Sequence, residues 1–551
     1  MTTDKKNIQA LVEVCRSKGI RQVVFSPGSR SAPLVIAFSQ VKDMQCLVIP
    51  DERVAGFFAL GIAQQQRSPV ALVCTSGTAV LNFAPAICEA YYQQVPLLVL
   101  TADRPSEYIG IGENQAINQT DIYKNYIRAS YTLPEEYTDA ANVAAQAMSD
   151  MTMHYFGPVH INVPLREPLY GMSDEPLPAL SFASNPVPAL PKPATMTLSA
   201  KNMLICGMHE PDEKLMKVIE VLARRNDFVV VAEAISNLPV AGTISKIDST
   251  ITLISENDQT AYAPDTIITI GKQIVSKRLR QFLRKAAPWR HYHISTDKGE
   301  WNGLGAKQYI HIAAKDTALL EALCNGTKAP LSEYNRRWAV LKTKTDQLHK
   351  QYAAQVPFSD WWVFGKLIET FPADANIQYG NSSPVRYAGM WPHRSGLMVN
   401  SNRGTSGIDG CMSTAAGAAF VSQRMTVSIV GDVSFIYDSN ALWNNYLSPQ
   451  LRIIVINNGG GNIFRLIEGP KQVLGFEKFF ETAHRHSAEY LAQMYQIPYY
   501  FCDRADDMDF VLAQFYKLQK GNKPAILEIR TDSAISEKVY KDYFRYLTNK
   551  E

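Results

Sequence analysis

Short apolar runs that end in glycine or a polar turn alternate along this chain with stretches of helical periodicity. In the first third of the sequence these runs are RQVVFSPG, MQCLVIPDE, PVALVCTSG, PLLVLTADRP and PVHINVP, and most of them precede a helix-like stretch. Near-continuous apolar strands are what a parallel sheet requires when helices cover both of its faces. The alternation therefore predicts a doubly wound α/β domain.

The same rhythm returns twice, so the sequence predicts three α/β domains, the first and third of which could share a topology. Residues 171–199 carry six prolines without clear periodicity, which predicts an interdomain linker. A long polar helix is expected at 331–354. The domains are expected at 1–180, 181–345 and 346–551. The further predicted strands are NMLICG, DFVVVAEA, DTIITIG, HYHISTD, NIQYGNSS, GLMVNSNRG, MTVSIVGD, LRIIVINN and PAILEIRTD.

The composition of the 551 residues excludes several classes of protein. A formal net charge of +3 at pH 7 is too small to indicate binding to nucleic acid or to a membrane surface. Residues 1–19 have the pattern of an amphipathic helix rather than a signal peptide, and no apolar run reaches the ~18 residues of a membrane span. The eight cysteines are scattered without a C-x-x-C pair, which predicts buried free thiols in a reducing cytoplasm.

Two polar motifs follow successive predicted strands of the third domain. Gly431 and Asp432 come directly after one strand, and Asn458 ends the next, one helix and one strand later. Side chains at neighbouring strand ends meet at the same edge of a parallel sheet, where ligands bind. Carboxylate, amide and carbonyl oxygens there would suit Mg2+, and glycines let the backbone approach a diphosphate. Either motif alone would indicate only a strand-end aspartate or an Asn-Asn-Gly turn.

Together the two motifs resemble the GD…NN signature of thiamine-diphosphate enzymes, although Val433 stands where many members have glycine. The resemblance implies thiamine diphosphate and Mg2+ as cofactors, with Mn2+ as a substitute for the metal. It also implies that Asp432, Asn458 and the carbonyl of Gly460 are the metal ligands. The implied cofactor contacts in this region are Gly431, Asp432, Val433, Ser434, Asn458 and Gly460.

A glutamate in the first domain fits the second half of that signature. Glu52 follows the strand LVIP and begins an apolar helix, and the resemblance implies that it contacts N1′ of the aminopyrimidine. There it would favour the imino tautomer, and apolar neighbours would disfavour its charged form. Alone, Glu52 would be interpreted only as an acid that complements a helix dipole. In this superfamily the pyrimidine domain faces the diphosphate domain of another subunit, which implies a homodimer or homotetramer with active sites at the interface.

Longer segments resemble one family within this superfamily, the 2-succinyl-5-enolpyruvyl-6-hydroxy-3-cyclohexene-1-carboxylate synthases of menaquinone biosynthesis. The resemblance implies a transferase that decarboxylates 2-oxoglutarate and adds the remaining fragment to isochorismate. Both substrates are dicarboxylates, and arginine binds carboxylates in a bidentate manner, so a local basic cluster is expected. The segments are VVFSPGSRSAPL, DERVAGFFALGIA, TSGTAVLNFAPAICEAYYQQVPLLVLTADRP, GENQAINQ, SKRL, GNSSPVR, NRGTSGIDG and GDVSFIYDSNALWNN.

The resemblance also assigns roles to residues that follow strands or lie in turns. Ile408 would be the apolar wedge that bends the cofactor, and Ile463 and Phe464 would line the cofactor and substrate pocket. The implied catalytic residues are Glu52, Arg30, Gln115, Ser382, Arg386 and Arg403. The implied contacts to isochorismate are Ser29, Arg30, Arg104, Asn114, Gln115, Lys277 and Arg278, and those to 2-oxoglutarate are Ser382, Arg386 and Arg403.

Several alternatives remain open from the residues themselves. Arg104 could cap a helix or pair with Asp103, and Lys277 and Arg278 could form a solvated helix face. The middle domain lacks a G-x-G-x-x-G motif, which argues against a dinucleotide there. Another thiamine-diphosphate lyase, similar to acetohydroxyacid synthase or benzoylformate decarboxylase, or a non-catalytic nucleotide- or anion-binding scaffold would share the fold.

Overall fold

The computed structural model describes residues 1–175, 189–191, 195–297, 303–326, 330–467 and 469–549. These residues form three parallel sheets with helices on both faces, which confirms the predicted α/β class and its repetition. Most of the linker predicted at 171–199 lies outside the described residues.

The first sheet has six parallel strands. A separate two-stranded antiparallel ribbon pairs the N-terminus of the chain with Met172–Ser173, near the end of the first domain. Its two central strands are buried at every position, as their apolar runs predict. The elements are β1 (Thr2–Thr3), α1 (Lys6–Ser17), β2 (Gln22–Phe25), α2 (Ala32–Ser39), β3 (Gln45–Val48), α3 (Glu52–Gln66), β4 (Val70–Cys74), α4 (Thr78–Asn82), α5 (Ala84–Gln93), β5 (Leu97–Asp103), β6 (Ser130–Thr132), α6 (Tyr137–Thr152), β7 (Val159–Pro164) and β8 (Met172–Ser173). The strand order is β3-β2-β4-β5-β7-β6.

The middle sheet has five parallel strands. Its elements are β9 (Asn202–Cys206), α7 (Glu213–Ala223), β10 (Phe228–Ala232), α8 (Ile247–Thr252), α9 (Gln259–Tyr262), β11 (Thr266–Ile270), α10 (Lys277–Ala286), β12 (Arg290–Ser295), β13 (Gln308–Ala313) and α11 (Asp316–Gly326). The strand order is β10-β9-β11-β12-β13, the arrangement of flavodoxin-like folds.

The third sheet repeats the topology of the first. Its elements are α12 (Tyr334–Ala353), α13 (Asp360–Thr370), β14 (Asn376–Tyr379), α14 (Ser383–Ala388), β15 (Met398–Ser401), α15 (Cys411–Val421), β16 (Thr426–Gly431), α16 (Asp432–Tyr437), β17 (Leu451–Asn457), α17 (Ile463–Leu466), α18 (Glu489–Met494), β18 (Tyr499–Cys502), α19 (Ala505–Phe515), β19 (Ala525–Arg530) and α20 (Ser533–Thr548). The order β15-β14-β16-β17-β19-β18 matches that of the first sheet strand for strand.

The first and third domains pack against each other through one helix of each. Helices α3 and α15 occupy the same place in the first and third domains and pack against each other through glycines. A Cβ atom on Gly61 would lie 2.0 Å from the carbonyl oxygen of Thr414, and one on Gly417 would lie 2.0 Å from that of Phe58. Helix α12 crosses the predicted domain boundary at 345, because its first half packs on the middle core and its second half on the third.

All eight cysteines are free and buried or partly buried, as predicted. Within the described ranges, no helix is both long enough and apolar enough to cross a membrane. The short strands β1 and β8 were not predicted, nor were β6, β13 and β18. The last three each lie at the same end of their sheet.

Candidate active site

Asp432 lies at the carboxyl edge of the third sheet, in a nest of backbone amides. Strands β16 and β17 pair in parallel, so Asp432 and Asn458 emerge from neighbouring strand ends. The Asp432 carboxylate is buried and accepts hydrogen bonds from the amides of Val433 (2.7 Å), Gly459 (2.8 Å) and Gly460 (2.9 Å). Burial raises the pKa of Asp432 to about 7, although the three amides act in the opposite direction. The two carboxylate oxygens offer about four acceptor positions, so the three amides leave one that could bind a cation.

Asn458 presents an oxygen that has no partner within the described residues. Its Nδ2 donates to Oδ2 of Asp360 at 2.9 Å, while its Oδ1 is buried and accepts no hydrogen bond. A buried acceptor without a donor is costly, so this atom fits a metal ligand. Gly460 has φ 150°, and a Cβ atom there would lie 2.6 Å from the carbonyl oxygen of Glu481. Its own carbonyl accepts one hydrogen bond from Asn462 (2.9 Å) and keeps a second lone pair.

The loop that carries Ile408 is tied to the same sheet edge. Ser434 Oγ, in the first turn of α16, donates to the carbonyl oxygen of Ile408 at 2.6 Å. Asn381 Nδ2 donates to the carbonyl oxygen of Gly407 at 2.6 Å, and Asn381 Oδ1 accepts from Arg403 at 2.9 Å. Ile408, Arg403 and the diphosphate motif therefore form one connected group. Ile463 and Phe464 begin α17, and Asn462 alone separates them from the glycine run.

Two arginines of this group have buried nitrogen atoms without partners. The Nε–H groups of Arg386 and Arg403 donate to no acceptor in the described part of the chain. Burial, and then the nearby charge of Arg386, lowers the pKa of Arg403. Ser382 has φ 72°, a strained value for a residue with a side chain. A cavity of about 30 Å³ reaches Arg386 from the middle domain and is lined in part by Glu233, Asp248, Ser276 and Tyr540.

The middle domain contributes two exposed basic residues near this cavity. Lys277 and Arg278 begin helix α10, and the Arg278 guanidinium lies 4.2 Å from the ring centroid of Phe544 in the third domain. Burial raises the pKa of Asp248, whereas the charges of Arg278 and Arg386 lower it, so the two arginines flank one carboxylate. Arg278 is therefore directed at the third domain.

A separate group of predicted residues lies at the carboxyl edge of the first sheet. Arg30 is buried and donates to the carbonyl oxygen of Leu165 at 3.0 Å and to Glu167 at 3.3 Å. The Arg104 guanidinium donates to the carbonyl oxygen of Asn114 at 2.8 and 3.2 Å, so it fixes that loop instead of pairing with Asp103.

The remaining predicted residues of the first domain are accessible. Ser29 and Gln115 are both exposed, and Gln115 has φ 52°. Within the described residues, no hydrogen bond or ion pair joins this first-domain group to the group around Asp432.

Glu52 begins helix α3 and is half-buried. Asp51 caps this helix by accepting from the amide of Val54 at 3.1 Å. Burial, and then the charge of Glu52, raises the pKa of Cys74 at the end of β4, which places the glutamate beside that strand end. Arg53 donates to the carbonyl oxygen of Tyr437 at 2.8 Å, so the start of α3 contacts the third domain.

Comparison with known proteins identifies the family. Residues 6–122 match the family described as the N-terminal TPP binding domain of thiamine pyrophosphate enzymes. Relatives from Flavobacterium psychrophilum and Flavobacterium johnsoniae are each 39% identical to the chain over 98% of both lengths. A relative from Bacteroides fragilis is 34% identical over the full length of both chains. All three are named 2-succinyl-5-enolpyruvyl-6-hydroxy-3-cyclohexene-1-carboxylate synthase. The chain belongs to this synthase family.

The structure places two further residues at the candidate site, Glu89 and His484, which the sequence alone did not indicate. Glu89, on α5 of the first domain, accepts from the amides of Gly404 (2.7 Å) and Thr405 (2.6 Å) and so holds the loop of Arg403. His484 Nε2 lies 3.5 Å from Asp432 Oδ2. Both contacts join segments far apart in the chain, and no local pattern signals them.

Proposed function

We propose that this synthase-family chain decarboxylates 2-oxoglutarate and adds the remaining four-carbon fragment to isochorismate. The products are CO2 and 2-succinyl-5-enolpyruvyl-6-hydroxy-3-cyclohexene-1-carboxylate, in menaquinone biosynthesis in the cytoplasm. Full-length similarity to relatives that carry this name supports the proposal. The structural observation that supports it is that Asp432 and Asn458 are both buried at neighbouring strand ends of one sheet edge, and that Oδ1 of Asn458 has no hydrogen-bond partner within the described residues.

The third domain would hold the cofactor. Asp432, the free Oδ1 of Asn458 and the carbonyl of Gly460 would bind Mg2+ or Mn2+, and these oxygen donors suit hard cations. When bound, thiamine diphosphate supplies the nucleophilic carbon and the electron sink that decarboxylation needs. Ile408 would support the bent cofactor, since Ser434 fixes the backbone of its loop.

The arginines would bind the substrate carboxylates. Ser382, Arg386 and Arg403 are proposed to hold 2-oxoglutarate, and the unpartnered Nε atoms of both arginines support this assignment. The isochorismate side is proposed to comprise Ser29, Arg30, Arg104, Asn114, Gln115, Lys277 and Arg278.

Glu52 is proposed to act from a second copy of the chain. Its role would be to hold or move a proton at N1′ of the aminopyrimidine. Val48, Tyr437 and Trp443 lie on the two segments that meet beside Glu52, and they are 46%, 52% and 54% exposed. Exposed apolar side chains of this kind are typical of subunit interfaces, which supports a homodimer or homotetramer.

The test combines the purified chain with Mg2+, thiamine diphosphate, 2-oxoglutarate and isochorismate and follows the ultraviolet absorbance of isochorismate. We expect absorbance loss and CO2 release that depend on both cofactors and both substrates. Pyruvate replaces 2-oxoglutarate in the control reaction. Turnover of pyruvate in preference to 2-oxoglutarate, or no consumption of either substrate, would contradict the proposal.

A further inference from the structure

Asp360 is a fully buried carboxylate directly behind the proposed metal site. It is the first residue of α13, and its amide donates to Ser536 Oγ at 3.0 Å. Its Oδ2 accepts from Asn458 Nδ2 at 2.9 Å and from Asn462 Nδ2 at 3.3 Å, and its Oδ1 accepts from Thr531 Oγ at 2.5 Å. Among the described residues no lysine, arginine or histidine forms an ion pair with it. The carboxylate is therefore satisfied by neutral donors.

The chemistry of this carboxylate fixes the orientation of two carboxamides. An ionised carboxylate only accepts hydrogen bonds, so it selects the NH2 end of each asparagine that faces it. The oxygen of Asn458 must then point away from Asp360. The structure agrees, because Oδ1 of Asn458 and Oδ1 of Asn462 are both buried and lack hydrogen bonds within the described residues.

We infer that Asp360 is a positioning residue that orients the carboxamide of Asn458 so that its oxygen faces the cation. This inference rests on the proposed function, because it concerns the same metal site.

The first test is Asp360→Ala, which removes the acceptor that holds Asn458. We expect half-saturation by Mg2+ to need about 10- to 100-fold more metal, as for other residues that orient metal ligands. The readout is the Mg2+-dependent rise in melting temperature at saturating thiamine diphosphate. Thr531→Val is the matched control, since it removes a donor to Asp360 but leaves the Asn458 contact, and it should keep Mg2+ affinity within about threefold.

The second test exchanges the carboxylate of Asp360 with the carboxamide of Asn458. Asn458→Asp sets two buried carboxylates against each other, and Asp360→Asn sets two carboxamides together so that neither orientation is selected. Each single variant should bind Mg2+ more weakly. The double variant Asp360→Asn/Asn458→Asp restores one donor facing one acceptor and should recover at least about tenfold in Mg2+ affinity over the weaker single variant. A purely structural role predicts no recovery.

Asp432→Ala distinguishes a failure of the proposed function from a failure of the proposed role of Asp360. If Mg2+ with thiamine diphosphate fails to stabilise the wild-type chain, the proposed function is wrong. If Asp432→Ala abolishes stabilisation while Asp360→Ala keeps wild-type Mg2+ affinity, only the role of Asp360 is overturned. Should Asp360→Ala fail to fold, the double exchange decides, and an unrecovered Mg2+ affinity in a folded double variant contradicts the inference.

Discussion

Replacing Glu89 should loosen the loop that carries Arg403. Glu89 is 1% exposed and lies in the first domain, yet its two oxygens accept separately from the amides of Gly404 and Thr405 in the third. A hydrogen bond to a charged group contributes about 1.5–3 kcal/mol. The two amide contacts correspond to about 3–6 kcal/mol, and Glu89→Ala also removes the hydrogen bonds that Glu89 accepts from Gln93 Nε2 and Thr405 Oγ. Thr405 is exposed, so water can replace part of the hydrogen bonding that it loses. We therefore expect the free energy of unfolding to fall by about 3 kcal/mol.

Glu89→Gln gives a graded version of the same change. The glutamine keeps one acceptor, and its NH2 group faces the other backbone amide. We therefore expect Glu89→Gln to lose about half as much free energy of unfolding as Glu89→Ala. Urea unfolding measures the stability, and steady-state kinetics measure KM. We expect KM for 2-oxoglutarate to rise while KM for isochorismate stays unchanged, since Arg403 is proposed to bind only the former.

The control is Glu220→Gln, which removes an exposed pair with Arg224 one helical turn away. Such pairs contribute about 0.3–0.5 kcal/mol. The reasoning on Glu89 is refuted if Glu89→Ala unfolds at the urea concentration of Glu220→Gln and retains its KM for 2-oxoglutarate.

Three further changes test other parts of the molecule. Glu52→Gln should leave the circular dichroism spectrum and melting temperature unchanged but lower turnover about 10²- to 10⁴-fold; unaltered turnover would exclude a proton-holding role. Gly417→Ala brings a methyl group against the Phe58 backbone and should lower the free energy of unfolding by about 1–3 kcal/mol in urea titrations, which an unchanged midpoint would contradict. Burial raises the pKa of Glu233 to about 7, so the folded state retains a proton that the unfolded state releases. Stability should therefore fall as pH rises from about 4.5 to about 7, by up to about 1.4 kcal/mol per unit, and the slope should flatten in Glu233→Gln.

The sheets could be predicted wherever a strand is buried on both faces. Strands such as β4 and β17 are buried at every position and appear in the sequence as continuous apolar runs. Three of the strands that were missed, β6, β13 and β18, are the last in their sheet orders, and their residues are mostly half-exposed. An edge strand packs against fewer neighbours, so it needs no continuous apolar run.

The candidate site likewise contains some contacts that could be predicted from the sequence and others that could not. Asp432 and Asn458 could be predicted as neighbours because one βαβ step separates them, and parallel strands bring their ends to one edge. Asp360 is 98 positions from Asn458 and reaches it only because α13 packs beside the glycine run. Contacts of that kind depend on how helices pack onto a finished sheet, and a local pattern carries no information about them.

The shared topology of the outer domains links the glycine contact to the proposed chemistry. Glu52 is the first residue of α3, and Ile408 lies three positions before α15, so both proposed cofactor contacts adjoin the N-terminal ends of equivalent helices. These helices touch backbone to backbone at Gly61 and Gly417, where no flexible side chain can absorb a displacement. A methyl group at Gly417 must shift one helix against the other, and with it the spacing of the loops they carry. Gly417→Ala should therefore weaken thiamine diphosphate binding as well as stability, whereas a loss of stability with unchanged cofactor affinity would show that the loops move independently of the crossing.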